Sequence, residues 1–152
     1  MKSLNDWLTA YAVCHKNPSN ILIHKICVPL IMFSLLGMLW CIPTPSFLDS
    51  SWPINFSSLF ALACLVFYFF LDLKMFLGML VFCFVMMTGV YYIDQTGTLL
   101  VTSITIFVLS WIGQFWGHKI EGKKPSFFED LTFLLIGPLW VLHSFYRVIG
   151  IR

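Results

Sequence analysis

The chain has 152 residues, about the length of one domain, of which 59% are hydrophobic and 11% charged, with a formal net charge of +2. A water-soluble domain carries roughly 25% charged residues, so this chain lacks the polar surface needed to cover itself in water. The composition, with a mean hydropathy of +0.88, predicts one integral membrane domain over residues 1–152, and the small net charge gives no support for nucleic-acid binding.

Residues 3–15 place Leu4, Trp7, Leu8, Tyr11 and Ala12 at the i, i+3, i+4 spacing of one helical face, with Ser3 as N-cap. This predicts a short interfacial helix with Trp7 and Tyr11 at headgroup level. Residues 1–10 have no continuous apolar core, so they do not read as a cleavable secretory signal. Asn17 and Pro18 break the first helix, and Pro18 or Ser19 opens the next. That second helix carries Asn20 and His24 four apart, hence on one face, and continues through residues 26–40 as the first membrane span. Residues 41–55, with three prolines and Asp49 as the single charge, read as a loop.

Residues 56–71 and 75–93 are the second and third spans, joined by Asp72, Leu73 and Lys74 as an antiparallel hairpin. A turn at 94–98 containing Gly97 leads into the fourth span, residues 99–116, which delivers Gln114, His118 and Glu121 at its end. Residues 122–126 form a basic turn with Lys123 and Lys124. The last apolar segment, 127–149, opens on Glu129 and Asp130 and is interrupted by Gly137 and Pro138, so it is either a kinked fifth span or two half-helices that dip in and return. The predicted fold class is an all-α, multi-pass transmembrane helical bundle: four spans, an N-terminal interfacial helix and a Gly-Pro-broken C-terminal segment.

Lys2, Lys16 and Lys25 precede the first span, Lys74 joins the second to the third, and Lys119, Lys123 and Lys124 follow the fourth, while loops 41–55 and 94–98 have neither Lys nor Arg. The positive-inside tendency then puts the N-terminus and the His118 turn in the cytoplasm. Arg147 and Arg152 favour a last segment that returns to that side. The five cysteines, at 14, 27, 41, 64 and 83, are odd in number and unpaired in spacing, so no disulfide framework or zinc ribbon is indicated. No Ser-His-Asp arrangement or glycine-rich phosphate loop is present either.

The four histidines, His15, His24, His118 and His143, all fall at the cytoplasmic end of this topology. Neutral imidazole ligates iron, zinc and copper, and helix bundles build metal sites from ligands on different helices. A single interfacial histidine is more often a hydrogen-bonded structural residue; four arriving at one end favour a metal site. Glu121, three residues after His118, either ligates with it, orients its imidazole, or pairs with Lys123 or Lys124. Asn20 and Gln114 either bond a ligand or substrate headgroup, or bond helix to helix within the membrane. Trp111, Phe115 and Trp116 read as an interfacial aromatic belt.

Tyr11, His15, Asn20, His24 and Pro29, followed by Trp111, Gln114, Gly117, His118, Glu121, Pro125, Gly137 and Pro138, occur in the order and approximate spacing of a known family. The chain resembles the membrane 2-hydroxy fatty acid dioxygenases of fatty-acid alpha-oxidation and phytosphingosine breakdown. The resemblance covers nearly the whole chain, although the middle spans match only in hydrophobicity. It implies an iron(II) cofactor, Fe(2+), and an enzyme that uses molecular oxygen to shorten a 2-hydroxy fatty acid by one carbon with release of carbon dioxide. It also implies His15, His24 and His118 as metal ligands, with His143 standing where some relatives carry an acidic residue. Glu121, Asn20 and Gln114 are the accompanying catalytic candidates. The alternatives are a bis-histidine haem-binding electron carrier and a non-enzymatic membrane scaffold. The expected location is a bacterial cytoplasmic membrane or the endoplasmic reticulum, and the sequence leaves the oligomeric state open.

Overall fold

The computed structural model describes residues 3–13, 15–45, 54–122 and 133–150. Among them are six helices and no strand: α1 (Leu4–Ala12), α2 (Pro18–Trp40), α3 (Phe56–Leu71), α4 (Leu73–Asp94), α5 (Leu99–Glu121) and α6 (Phe133–Val148). Helices α2, α4 and α5, at 22 or 23 residues, are long and apolar enough to cross a membrane; α3 and α6 are shorter apolar helices. The chain is an integral membrane protein. Much of the 41–55 loop and the 123–126 turn lie outside the described residues, as do Glu129 and Asp130.

The chain forms two compact units, one from Met1–Leu30 with Leu109–Arg152 and one from Ile31–Val108. In the second unit α3 packs on α4. Asp72 serves both helices: its N–H closes the last turn of α3 on the Tyr68 carbonyl, and its side chain accepts from Met75 N at 2.8 Å to cap α4. One capping residue between two helices leaves no slack, which is why the chain reverses there as the spacing predicted. Gly97, at φ +71°, makes the left-handed turn before α5. Gly37 of α2 lies against Ser103 and Leu99 of α5, where a methyl group would collide with the Ser103 hydroxyl.

In the first unit α1 starts at a capping box, Ser3 accepting from Asp6 N while the Asp6 carboxylate accepts from Ser3 N. Its aromatic face is turned partly into the protein. Tyr11 is only 5% exposed, and Trp7 and Tyr11 pack on α6 through Phe133 at 5.7 and 6.0 Å. Aromatic pairs of this kind contribute about 0.5–1.5 kcal/mol beyond the area they bury. Asn17 caps α2, its side chain accepting from Ser19 N at 2.9 Å, and Pro18 takes the first helical position, where a missing N–H costs nothing.

Helix α6 also differs from expectation, because it runs through Gly137 and Pro138 without interruption. Ile136, Gly137, Pro138 and Leu139 are all buried. Four consecutive residues cover every side of a helix, so the surrounding packing holds this turn helical even though Pro138 removes one hydrogen bond.

Candidate metal centre

Two helices and one connection bring three imidazoles together. On α2, Asn20, His24 and Val28 form a buried stripe at four-residue spacing, and on α5 Ser110, Gln114 and His118 form another. The stripes approach closely because α5 presents Gly113 and Gly117 to α2. A methyl at Gly113 would stand 2.8 Å from Cys27 Sγ, and one at Gly117 would collide with Asn20 Oδ1 and reach Ile23 Cγ2 at 3.4 Å. Small residues four apart let helix backbones meet, a membrane-packing device that the sequence displays but that hydropathy alone does not reveal.

His15, in the connection between α1 and α2, is 4% exposed, His24 2% and His118 4%. Their rings lie edge to face, with centroids 4.2 Å apart for His15 and His24, 4.8 Å for His24 and His118, and 5.3 Å for His15 and His118. One ring nitrogen from each lies within 4.8 Å of the others. Points 4.8 Å apart have a common centre about 2.8 Å from each, so inward shifts of about 0.7 Å would reach the roughly 2.1 Å of a metal–imidazole bond.

The hydrogen bonds fix how His15 is presented. A carbonyl only accepts, so His15 Nδ1–H donates to the Tyr11 carbonyl at 2.7 Å, which leaves Nε2 with its lone pair, 3.1 Å from His24 Nδ1. Burial holds the His15 imidazole below its ordinary pKa, against the opposing pull of the Tyr11 carbonyl and the Glu121 charge. The ring is therefore a neutral donor near pH 7. His24 Nε2 and His118 Nδ1 are buried without a hydrogen-bond partner. Each such orphan costs about 1–3 kcal/mol, and a metal ion is the partner that two lone pairs and a third presented nitrogen would fit.

Glu121 lies outside this group. Its Oε1 accepts from Lys16 N at 2.9 Å, and its Oε2 from Asn17 N at 2.9 Å and Asn20 Nδ2 at 3.0 Å. The carboxylate thus ties the end of α5 to the N-terminus of α2, where helix geometry favours negative charge. Asn20 is buried one turn before His24, and Gln114 is buried one turn before His118. Lys119 Nζ lies 5.7 Å over the Trp116 ring.

His143 is not in the three-histidine group, which corrects the expectation that all four gather. It sits partly buried on α6 one turn beyond Trp140, and it is the Trp140 indole that faces the cluster, 5.4 Å from both His15 and Tyr11. Tyr11 was missed as a site residue, although its spacing of four before His15 is the spacing of residues that touch. In the second unit, a groove of about 600 Å³ is lined by Trp40, Leu59, Leu62, Phe84, Met87 and Tyr91 among others, with no His, Cys, Asp or Glu.

The family model that matches this chain is described as 2-hydroxy-palmitic acid dioxygenase Mpo1-like, and it spans residues 1–149. The chain belongs to the Mpo1-like family. It is 28% identical over 150 residues to the Saccharomyces cerevisiae protein named 2-hydroxy-palmitic acid dioxygenase MPO1, an alignment covering 97% of this chain and 82% of the relative. No solved structure matches. All three clustered histidines fall within the Mpo1-like match.

Proposed function

We propose that the chain is an iron(II)-dependent dioxygenase that shortens 2-hydroxy fatty acids by one carbon, with Fe(2+) held by His15, His24 and His118. The observation that carries the reading is the convergence of three buried imidazoles, two with unpartnered nitrogens, in a chain of the Mpo1-like family. The overall reaction balances as 2-hydroxy acid plus oxygen giving the acid one carbon shorter, carbon dioxide and water. What iron(II) supplies when bound is one-electron chemistry with oxygen and open coordination positions suited to a carboxylate and its neighbouring hydroxyl.

The chain's own residues do the positioning. The Tyr11 carbonyl holds the proton on His15 Nδ1, so Nε2 faces the cluster. Glu121 keeps the start of α2 against the end of α5, which sets the distance between His24 and His118. The apolar surfaces of α2 and α5 suit an acyl tail inserted from the bilayer. A haem carrier is disfavoured by ring geometry, because edge-to-face imidazoles 4.2 to 5.3 Å apart leave no slot for a macrocycle between any two.

The same site supports four crossings. His24 near the start of α2 and His118 near the end of α5 share one membrane face only if the chain between them crosses an even number of times. With α3, about 24 Å long, as the fourth crossing, that condition holds. The lysine distribution makes this face cytoplasmic. Purified protein should hold one iron per chain and release carbon dioxide from a 2-hydroxy fatty acid only when oxygen is present. His118→Ala should lose both iron and turnover. A folded wild-type chain that takes up no transition metal would overturn the proposal.

A further inference from the structure

The structure points to Tyr11 as a positioning residue of the metal centre, an inference that rests on the reading of the three histidines as ligands. A tyrosine on a short interfacial helix would ordinarily turn its hydroxyl to water or headgroups. Tyr11 instead engages two of the three histidines with three different parts of itself. Its carbonyl accepts the His15 Nδ1 proton at 2.7 Å, its ring lies over the His15 imidazole at 4.3 Å with 7° between planes, and its hydroxyl lies 3.4 Å from His24 Nδ1. The carbonyl selects the His15 tautomer, the stacking fixes the ring plane, and the hydroxyl reaches across to the neighbouring helix.

Helix α6 is built to receive this side chain. Trp140 packs against the phenol ring at 5.4 Å, and behind the hydroxyl stands Gly137, where a methyl group would come within 3.3 Å of the phenol oxygen. The glycine therefore leaves space at the point where the hydroxyl turns toward His24. Groups that orient ligand histidines change metal affinity when removed, because a ring free to rotate spends less time presenting its lone pair.

Tyr11→Phe keeps the carbonyl and the stacked ring and removes only the hydroxyl. We expect metal affinity to fall about three- to tenfold, the size of one lost hydrogen bond, read by chelator competition for iron(II) without oxygen and for cobalt(II). The visible absorption of the cobalt-loaded protein should shift as the ligand field at His24 changes. Tyr11→Leu, which also removes the stack, should weaken binding further. Trp7→Leu loosens the same α1–α6 contact through Phe133, and it should leave affinity and spectrum unchanged. Unaltered affinity and spectrum in folded Tyr11→Phe would overturn the inference, as would an equal loss in Trp7→Leu. If the wild-type chain binds neither metal, the ligand assignment itself falls and this inference falls with it.

Discussion

Replacing Gly117 with alanine tests whether helix spacing sets the metal site. The new methyl would collide with Asn20 Oδ1 and touch Ile23 Cγ2 at 3.4 Å. An asparagine tip normally swings away cheaply, but Asn20 Nδ2 is bonded to Glu121 Oε2 at 3.0 Å. Rotation therefore breaks part of the Glu121 tie, and refusing to rotate drives α2 from α5. Cβ contacts below about 3.4 Å are rare, so relief takes a shift of several tenths of an ångström, comparable with the roughly 0.7 Å by which the ligand nitrogens must close on a metal. Overpacking of this kind costs about 1–3 kcal/mol. Expressed wholly as lost affinity, that is about 5- to 150-fold. Chelator competition on detergent-purified protein measures it directly. Gly89→Ala, whose methyl would meet Phe33 Cε2 at 3.1 Å in the second unit, should cost stability while leaving metal affinity within about twofold. Wild-type affinity in Gly117→Ala would refute the idea that this close approach governs the site.

Glu121→Gln keeps one acceptor oxygen but sets an amide donor against a donor, so it should weaken metal binding several-fold without abolishing it, whereas loss of every bond in Glu121→Ala should weaken it more; metal titration of both variants checks the order. His143→Ala should retain full metal content by elemental analysis, in contrast to His24→Ala and His118→Ala, because His143 lies outside the cluster. The metal-free protein should lose stability as pH falls through about 6.5, since the unfolded chain then protonates His15 while burial keeps the folded ring neutral. A denaturation midpoint that does not fall between pH 7.5 and 5.5 would contradict this.

Much of the cluster was legible because histidines are rare here and the hydrophobic spans assign each one to an end of the chain's path. His24 needed only the i, i+4 rule to share a buried stripe with Asn20, and His118 only the end of an apolar run. Glu121 was harder to place. Spacing put it beside His118, but its partners are backbone N–H groups of Lys16 and Asn17, which no side-chain pattern displays. His143 illustrates the converse: hydropathy puts it on the last apolar helix but does not choose its face, and Trp140 takes the position against His15. Gly137 and Pro138 read locally as a break, and burial on every side overrides that local preference. Ser3, Asn17, Pro18 and Asp72 behaved as their side-chain chemistry dictates, because helix caps are decided within four residues.

Residues 31–108 form a unit of their own, whereas the histidine-bearing unit is assembled from residues 1–30 and 109–152. During synthesis at about 5–20 residues per second, His15 and His24 therefore wait roughly 5–20 s for His118 to emerge. A nascent chain can finish its hairpin before it owns a complete ligand set. On the proposed ligand set, loading with an ion is a late event in biogenesis, and a product terminated before His118 would lack one of the three ligands.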